Sequence, residues 1–226
     1  MADILNDYGD TLAKAGRGAE ADKLLQEAQG VAHDLKNDSL QAAILNSQGD
    51  VQFYAGNWKS ARTLYDQSLH AASRGSERHK VLSSRLSLAK VTNVEGRSHA
   101  VISDLRSLSQ EADKQGLKYL ALESSVEMAA AMVNSKDYSH ARQELDRALG
   151  TSEKLGLRLQ TARIHYLLGE TMRLGGNAGD APAQYQQAVT ILDQVKKDPG
   201  AEHVLERADL KSTYDDATRW SQQKLS

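Results

Sequence analysis

Apolar and small residues recur along the chain at steps of three and four, the spacing of one face of an α-helix. In one stretch the series runs through Trp58, Ala61, Tyr65, Leu69 and Ala72. Such a series gathers apolar side chains on one side of a helix and leaves the polar ones on the other. With only two prolines in 226 residues, little interrupts it. The pattern predicts an all-α chain.

The same pattern returns every 40 residues, through five units without insertion or deletion. The glycine column is Gly16, Gly56, Gly96, Lys136 and Gly176. A column of small residues is Gly9, Gly49, Ala89, Ala129 and Gly169. A column of large apolar residues is Leu25, Tyr65, Leu105, Leu145 and Tyr185. Two more columns, starting at Ala21 and Ala28, keep the same step, and a period of this length is typical of stacked helical repeats.

Each unit is predicted to contain two helices, separated at the glycine column, where a left-handed residue can end the first helix. The first helices are predicted near 2–15, 39–55, 77–95, 117–135 and 157–175. The second helices are predicted near 18–36, 58–74, 98–115, 138–155 and 180–197. Pro182 fits only the first turn of the last helix, so we expect Asp180 as its N-cap and a loop over 175–179.

The residues in these columns resemble the tetratricopeptide repeat (TPR) motif. Leu168-Gly169 followed by Ala181-x-x-x-Tyr185 is similar to the Leu-Gly and Ala-x-x-x-Phe elements of that family. The resemblance implies a right-handed α-solenoid of five TPR-like helical hairpins. The repeats would lie at about 1–40, 41–80, 81–120, 121–160 and 161–200. Forty residues exceed the usual 34, as in the longer-helix variants of signalling scaffolds and bacterial regulators.

Residues 201–226 fall outside the register and are predicted to form a C-terminal capping helix near 209–224, with Asp209 as its N-cap. Its apolar stripe consists of Leu210, Tyr214, Ala217 and Trp220. No comparable cap precedes the first repeat helix. We therefore expect either that the chain is a fragment of a longer protein or that it self-associates through this end.

Composition narrows the classes of partner. Twenty-eight Lys and Arg against 30 Asp and Glu give a net charge of -2, which makes nucleic acid a poor fit. No apolar run approaches the length of a membrane span, so we expect no membrane partner. The chain has no cysteine, which excludes disulfides and thiol chemistry and favours a reducing compartment. We expect a cytoplasmic protein.

The sequence offers little chemistry for catalysis, and we expect no cofactor. Its seven histidines are never closer than nine residues, so no helix carries an i, i+4 metal pair. A metal site assembled between neighbouring repeats is the less favoured alternative. The glycine-rich stretch 175–179 follows no predicted strand, and an interhelical turn is favoured over phosphate binding. These features favour a protein that is not an enzyme.

In the TPR family the first helices line a concave groove, and the resemblance implies the same here. The residues expected in the groove or on its rims are Asn6, Asp10, Asn46, Asp50, Phe53, Tyr54, Lys90, Asn93, Glu127, Tyr166, Glu170 and Arg173. The groove would also have an apolar floor, either binding surface or inter-repeat core. That floor consists of Leu86, Val126, Ala130 and Val133. A carboxylate clamp is disfavoured because Asn6 and Asp10 stand where its Lys and Asn would be.

The sequence therefore predicts a non-catalytic protein–protein interaction module, a TPR scaffold that binds a peptide or partner segment in its groove. A peptide with an apolar anchor and a basic part would complement the acidic N-terminal end. The alternative is a sensory or regulatory region of a larger bacterial serine/threonine kinase or transcriptional regulator. The tail ADLKSTYDDATRW is similar to the ends of TPR regions in such chains.

Overall fold

A computed structural model shows a chain of helices joined by short turns. It describes residues 1–75 and 77–223, and no strand occurs within them. The helices are α1 Ala2–Lys14, α2 Gly18–Asp34, α3 Asp38–Tyr54, α4 Trp58–Gly75, α5 Arg78–Val94, α6 Ile102–Lys114, α7 Lys118–Asn134, α8 Tyr138–Lys154, α9 Arg158–Leu174, α10 Ala181–Val195 and α11 Ala208–Ser221. Single 3-10 turns lie at Ser98–Val101, Ala178–Asp180 and Val204–Glu206. The predicted all-α repeat fold is confirmed.

The 40-residue register arises from two equal halves, each a helix of about 17 residues followed by a three-residue turn. One residue of each turn has a positive φ, and these residues recur at steps of 20. In the described turns they are Gly16, Lys36, Gly56, Gly96, Gly116, Lys136, Gly156 and Gly176. The turns within hairpins and those between hairpins therefore share one geometry. The extra length over a 34-residue repeat lies in the helices.

The ends of two helices differ in detail from the sequence prediction. Asp180 occupies the N-cap position of α10 and Pro182 its first turn, as predicted, but the Asp180 side chain makes no capping hydrogen bond. The end of the expected loop is a 3-10 turn, Ala178–Asp180. Helix α11 begins at Ala208, so Asp209 lies inside its first turn instead of capping it. The predicted end of this helix, at 224, lies outside the described residues.

The chain divides into two compact units, each with its own stacked helices. The first unit contains Met1–Glu95 and Gly200–Asp209, and the second contains Gly96–Pro199 and the residues from Leu210 onward. In the first unit α1 packs on α2, α3 packs on α4, and α3 also contacts α1 and α5. In the second unit α7 packs on α8, α9 packs on α10, and α7 contacts α9. Each unit thus buries its apolar faces by stacking, as repeat proteins do.

Close approach of the two helices in a hairpin depends on the column of small residues. Gly49 on α3 faces the ring of Tyr65 on α4, and a Cβ added to it would lie 2.4 Å from a ring carbon. Gly169 on α9 faces Tyr185 on α10 in the same way, at 2.6 Å. Both tyrosine residues are fully buried. Glycine is therefore required where the large column carries a tyrosine ring.

The predicted capping helix α11 covers the last hairpin of the second unit. Ala217 is fully buried in a cluster with Met172 and Val189. The hydroxyl of Tyr214 donates a hydrogen bond to Asp193 on α10 at 2.9 Å. The predicted apolar stripe therefore packs α11 against this hairpin, as expected.

Candidate functional site

The structure divides the predicted site residues into half-exposed and buried side chains. The half-exposed ones are Asp10, Asn46, Asp50, Tyr54 and Lys90 in the first unit, and Tyr166, Glu170 and Arg173 in the second. The buried ones are Asn6, Phe53, Asn93 and Glu127. A buried side chain cannot contact a partner without rearrangement. The accessible part of the predicted surface is therefore narrower than the sequence suggests.

The exposed position expected for Phe53 is corrected by the structure. Phe53 is 7% exposed, and its ring packs edge-on against Trp58 with the ring centroids 4.9 Å apart. Val91 belongs to the same buried cluster. The equivalent residues Asn93 and Val133 are also buried. Residues at this position of the repeat pack against neighbouring side chains and do not line an open surface.

Glu127 and the expected apolar floor are also buried. Glu127 is 2% exposed, and its carboxylate accepts a hydrogen bond from the guanidinium of Arg163 at 2.5 Å. Val126 and Ala130 belong to the core cluster of the second unit. All four floor residues are buried. Their burial supports the interpretation of the floor as inter-repeat core.

The same kind of hydrogen bond, from a tyrosine hydroxyl to a carboxylate, occurs within each of two hairpins. The hydroxyl of Tyr65 donates to Asp50 at 2.6 Å, and that of Tyr185 donates to Glu170 at 2.6 Å. Each acid directly follows the glycine of the small column, and each tyrosine fills the large column. The register therefore brings the same two groups together in both hairpins.

In the second unit the candidate residues form a closed cluster against α11. Arg173 forms a bidentate ion pair with Glu170, with the shorter contact at 2.7 Å. Its guanidinium carbon lies 4.3 Å from the centre of the Trp220 ring, a cation–π contact. The rings of Tyr166 and Tyr185 are 6.1 Å apart, and burial raises the pKa of Tyr166. These side chains are already engaged with one another.

In the first unit Asp50 has an unusual electrostatic setting. Burial raises its pKa from 3.8 to about 6, although the charge of Lys90 and the hydrogen bond from Tyr65 oppose the rise. An ionised Asp50 is therefore costly to the folded state near neutral pH. Protonation removes that cost.

Asp50→Asn should stabilise the protein near neutral pH by on the order of 2 kcal/mol, since one pKa unit corresponds to about 1.4 kcal/mol. The folded-state pKa is the higher one, so the stability contributed by Asp50 is full below about pH 4 and is lost as the pH rises through about 6. Urea unfolding of both proteins across this range measures the difference. Asp10→Asn, at the equivalent position of the first repeat, is the control and should remove only an exposed ion pair with Lys14. A gain for Asp50→Asn that does not change with pH would contradict this account.

The structure also reveals a contact that the sequence did not predict. Within the first unit, residues 200–209 lie against the helices of residues 1–95. The carbonyl of His203 lies over Gly16, and a Cβ added to Gly16 would be 2.0 Å from its oxygen. Ala208 approaches the turn at Gly56. Val204 is 1% exposed. The segment therefore follows the turns that end α1 and α3.

Arg207 is the central residue of this contact. Its Nη1 donates a hydrogen bond to the backbone carbonyl of Lys14, the last residue of α1, at 3.0 Å. Its guanidinium carbon lies 3.6 Å from the centre of the ring of Tyr54, the last residue of α3. Asp209 accepts from Nε and Nη2 at 3.1 and 2.6 Å. Burial disfavours the charge, but attraction to Tyr54, Asp209 and Asp50 outweighs it and raises the pKa of Arg207.

The dependence of this contact on Gly16 can be tested by a matched pair of substitutions. Gly16 and Gly96 occupy the same column with φ of +83° and +82°, but a Cβ at Gly96 has no neighbour within 4 Å among the described residues. Both Gly→Ala changes pay about 1 kcal/mol for the left-handed backbone. Only Gly16→Ala should also release residues 200–209, seen as faster amide exchange at Val204. Equal exchange in the two variants would show that Gly16 does not control the contact.

The described residues contain no group of three or more His, Cys, Asp or Glu side chains placed to bind a metal ion. Among the helices of residues 1–75 and 77–223, none is long and apolar enough to cross a bilayer.

The class of protein follows from the stacked hairpins together with a family match. Residues 1–74 match the model of the tetratricopeptide repeat family, which covers most of the first two predicted repeats. The match and the helical repeat fold of the remaining residues together confirm the resemblance to the tetratricopeptide repeat family. Proteins of this fold are in general non-catalytic scaffolds for protein interactions.

Three solved structures show the same fold. A Rap protein complexed with Competence and Sporulation Factor has a TM-score of 0.65 and 14% identity, over 97% of this chain and 74% of that one. BtubC (BKLC) from P. vanneervenii has a TM-score of 0.59 and 17% identity, over 90% and 89%. A Podosopora anserina protein assigned as a kinesin light chain, with nearly identical TPR-like repeats, has a TM-score of 0.58 and 16% identity, over 86% and 96%. The comparison with curated proteins gave no match.

Proposed function

We propose that the chain is a non-catalytic interaction module whose first unit binds an extended segment of a partner protein. The observation that carries the proposal is that residues 200–209 already lie against this unit, with Arg207 buried against Tyr54. The surface supplies a backbone carbonyl, an aromatic face and a nearby carboxylate, which are groups that a peptide ligand requires. The helices that present them are preformed, so binding costs little ordering on this side.

The binding surface proposed in the first unit is defined by its half-exposed residues and is called the first-helix face. It consists of Asp10, Asn46, Asp50, Tyr54 and Lys90. Two acids in this set favour a basic segment of the partner. The half-exposed Tyr166, Glu170 and Arg173 of the second unit are proposed as further contacts.

Selection of short random peptides displayed on phage, followed by fluorescence anisotropy with each selected peptide, tests the proposal. Alanine at both Asp10 and Asn46 should weaken binding about tenfold, the effect of losing one strong contact. The matched control carries alanine at Glu27 and Gln67, exposed residues of α2 and α4 that are 40 positions apart. It should bind as the unmodified chain does. A selection that yields no binders, or peptides sensitive to the control substitutions, would refute the proposal.

A regulatory role within a larger bacterial signalling chain is the second candidate. The observation that favours it is that a segment of the chain covers part of the first unit, because such contacts can be switched. A similar structure is that of a Rap protein complexed with Competence and Sporulation Factor. Under this proposal binding of a partner segment would release residues 200–209.

We also propose a cytoplasmic location, which the lack of cysteine favours.

Self-association through α1 is a further part of the proposal. Ile4 and Tyr8 are 73% and 54% exposed, one helical turn apart on the same side of α1. A second copy would bury these side chains and gain hydrophobic free energy. Sedimentation velocity over a range of concentrations should show dimers for the unmodified chain and monomers for the double variant Ile4→Lys and Tyr8→Lys. A monomer at every soluble concentration would end this part of the proposal.

A further inference from the structure

The site around Arg207 is built for a guanidinium group. The last backbone carbonyl of α1, that of Lys14, and the last side chain of α3, Tyr54, meet at the same cation. The C-termini of two helices bring partial negative charge to this place. A planar guanidinium can stack on a ring while it donates hydrogen bonds in its own plane, whereas a lysine ammonium cannot. The geometry therefore discriminates arginine from lysine.

The group that occupies the site brings its own counter-ion. Asp209 lies two residues after Arg207 and binds two of its nitrogens. Arg207 is only 8% exposed, and a buried cation without such a partner is costly. Asp50 of the first unit adds a weaker attraction. A ligand of this site would thus carry an arginine followed two positions later by an acid.

Residues 200–209 are attached to the first unit at few points. Val204 and Arg207 are the buried side chains of this segment, whereas Glu202, His203 and Glu206 are exposed. Its only regular structure before α11 is the 3-10 turn Val204–Glu206. A short segment with two buried side chains, whose other contacts are at the turns of Gly16 and Gly56, can be exchanged for another segment with the same chemistry.

We propose that this site recognises the arginine of an Arg-x-acid segment in a partner protein, and that residues 200–209 are its internal competitor. The inference rests on the proposed function and specifies the chemistry of the partner. Because the internal segment is tethered, its effective concentration is roughly millimolar. An outside segment therefore competes poorly until the internal one is displaced. This arrangement couples occupation of the site to release of residues 200–209.

The probe is a fluorescent peptide with the sequence of residues 200–209, GAEHVLERAD, titrated into the full chain. Arg207→Ala removes the internal competitor and leaves Lys14 and Tyr54 in place. The variant should bind the peptide about tenfold more tightly than the unmodified chain does, because the competing side chain is gone. A peptide that carries Arg207→Lys should bind the variant about tenfold more weakly than the original peptide. Tyr54→Leu added to Arg207→Ala should abolish the gain.

Gly16→Ala tests whether the peptide binds in the place of the internal segment, because its Cβ would clash with the carbonyl of His203 in either one. Added to Arg207→Ala it should abolish peptide binding, whereas Gly96→Ala added to Arg207→Ala should not, and circular dichroism checks that every variant is folded. Equal affinity of the unmodified chain and the Arg207→Ala variant, or equal binding of the arginine and lysine peptides, would overturn the inference. If phage-selected peptides still bound the first-helix face, the proposed function would remain and only this arginine site would fall.

Discussion

Gly49→Ala should lower the free energy of unfolding by about 2 to 3 kcal/mol, although alanine is the better helix former by about 1 kcal/mol. The added Cβ would lie 2.4 Å from the ring of Tyr65, which is fully buried and cannot move aside. Gly169→Ala should behave alike because Tyr185 lies at the same place in its hairpin. Chemical denaturation followed by circular dichroism measures both losses.

Two further variants show whether the ring is the cause. Gly150→Ala, inside α8, places its Cβ where no described atom lies within 4 Å, so it should gain up to about 1 kcal/mol from helix propensity. Tyr65→Leu added to Gly49→Ala recreates the pair that Ala129 and Leu145 already form in a buried cluster. It should recover at least half of the lost stability. A double variant as unstable as Gly49→Ala alone would mean that ring contact is not the reason for glycine.

Arg163→Met should destabilise the second unit by on the order of 3 kcal/mol. The substitution removes the guanidinium that lies 2.5 Å from the carboxylate of Glu127, which is 2% exposed. Removing one member of a buried ion pair is strongly destabilising, because the remaining charge loses that attraction in a poorly solvated place. Thermal and urea unfolding would both report the loss.

The double variant Arg163→Met with Glu127→Leu isolates the pair. It removes both charges together, and replacement of a buried pair by apolar residues is often close to neutral. The surface control is Arg147→Met, which breaks an ion pair with Glu144 in which Arg147 is 73% exposed, and it should cost less than about 1 kcal/mol. If Arg163→Met costs no more than this control, the buried pair does not contribute as described.

The sequence predicts the helices well because a local effect ends most of them. A residue with a positive φ follows these helices, and Gly16, Gly56, Gly96 and Gly176 mark such ends in one column. Lys136 adopts the same conformation, with φ of +65°, although a lysine residue does not by itself predict a positive φ. The register, not the residue type, identifies that turn. Spacing alone thus gives bounds within a few residues.

The column of small residues can also be predicted from the sequence, but the exposure of individual side chains cannot. Counting residues along α3 predicts the side of the helix on which Phe53 lies. It does not predict that the ring of Trp58, after the turn, packs against the ring of Phe53. Glu127 looks like a surface charge until Arg163 is brought beside it, 36 residues away in sequence. Whether a polar residue is exposed depends on the neighbouring repeat. That neighbour can be located by the register, but the fit of its side chains cannot.

The contact of Arg207 lies beyond any reasoning from periodicity. Arg207 and Lys14 are 193 positions apart, and Arg207 belongs to the segment that leaves the repeat. The available signal is local: an arginine followed two residues later by Asp209, just before an amphipathic helix. That pattern predicts a charged turn and gives no partner. The three-dimensional structure is needed to bring the cation to the C-termini of α1 and α3.

The central claim is that the first-helix face binds a partner segment, and site-specific photo-cross-linking tests it most directly. A benzophenone side chain would replace Asp10 or Lys90 on that face, and Glu27 or Gln67 on the second helices, in the presence of a phage-selected peptide. We expect cross-links to the peptide from positions 10 and 90 and none from 27 and 67. Cross-links from 27 and 67 in place of those from 10 and 90 would contradict the account.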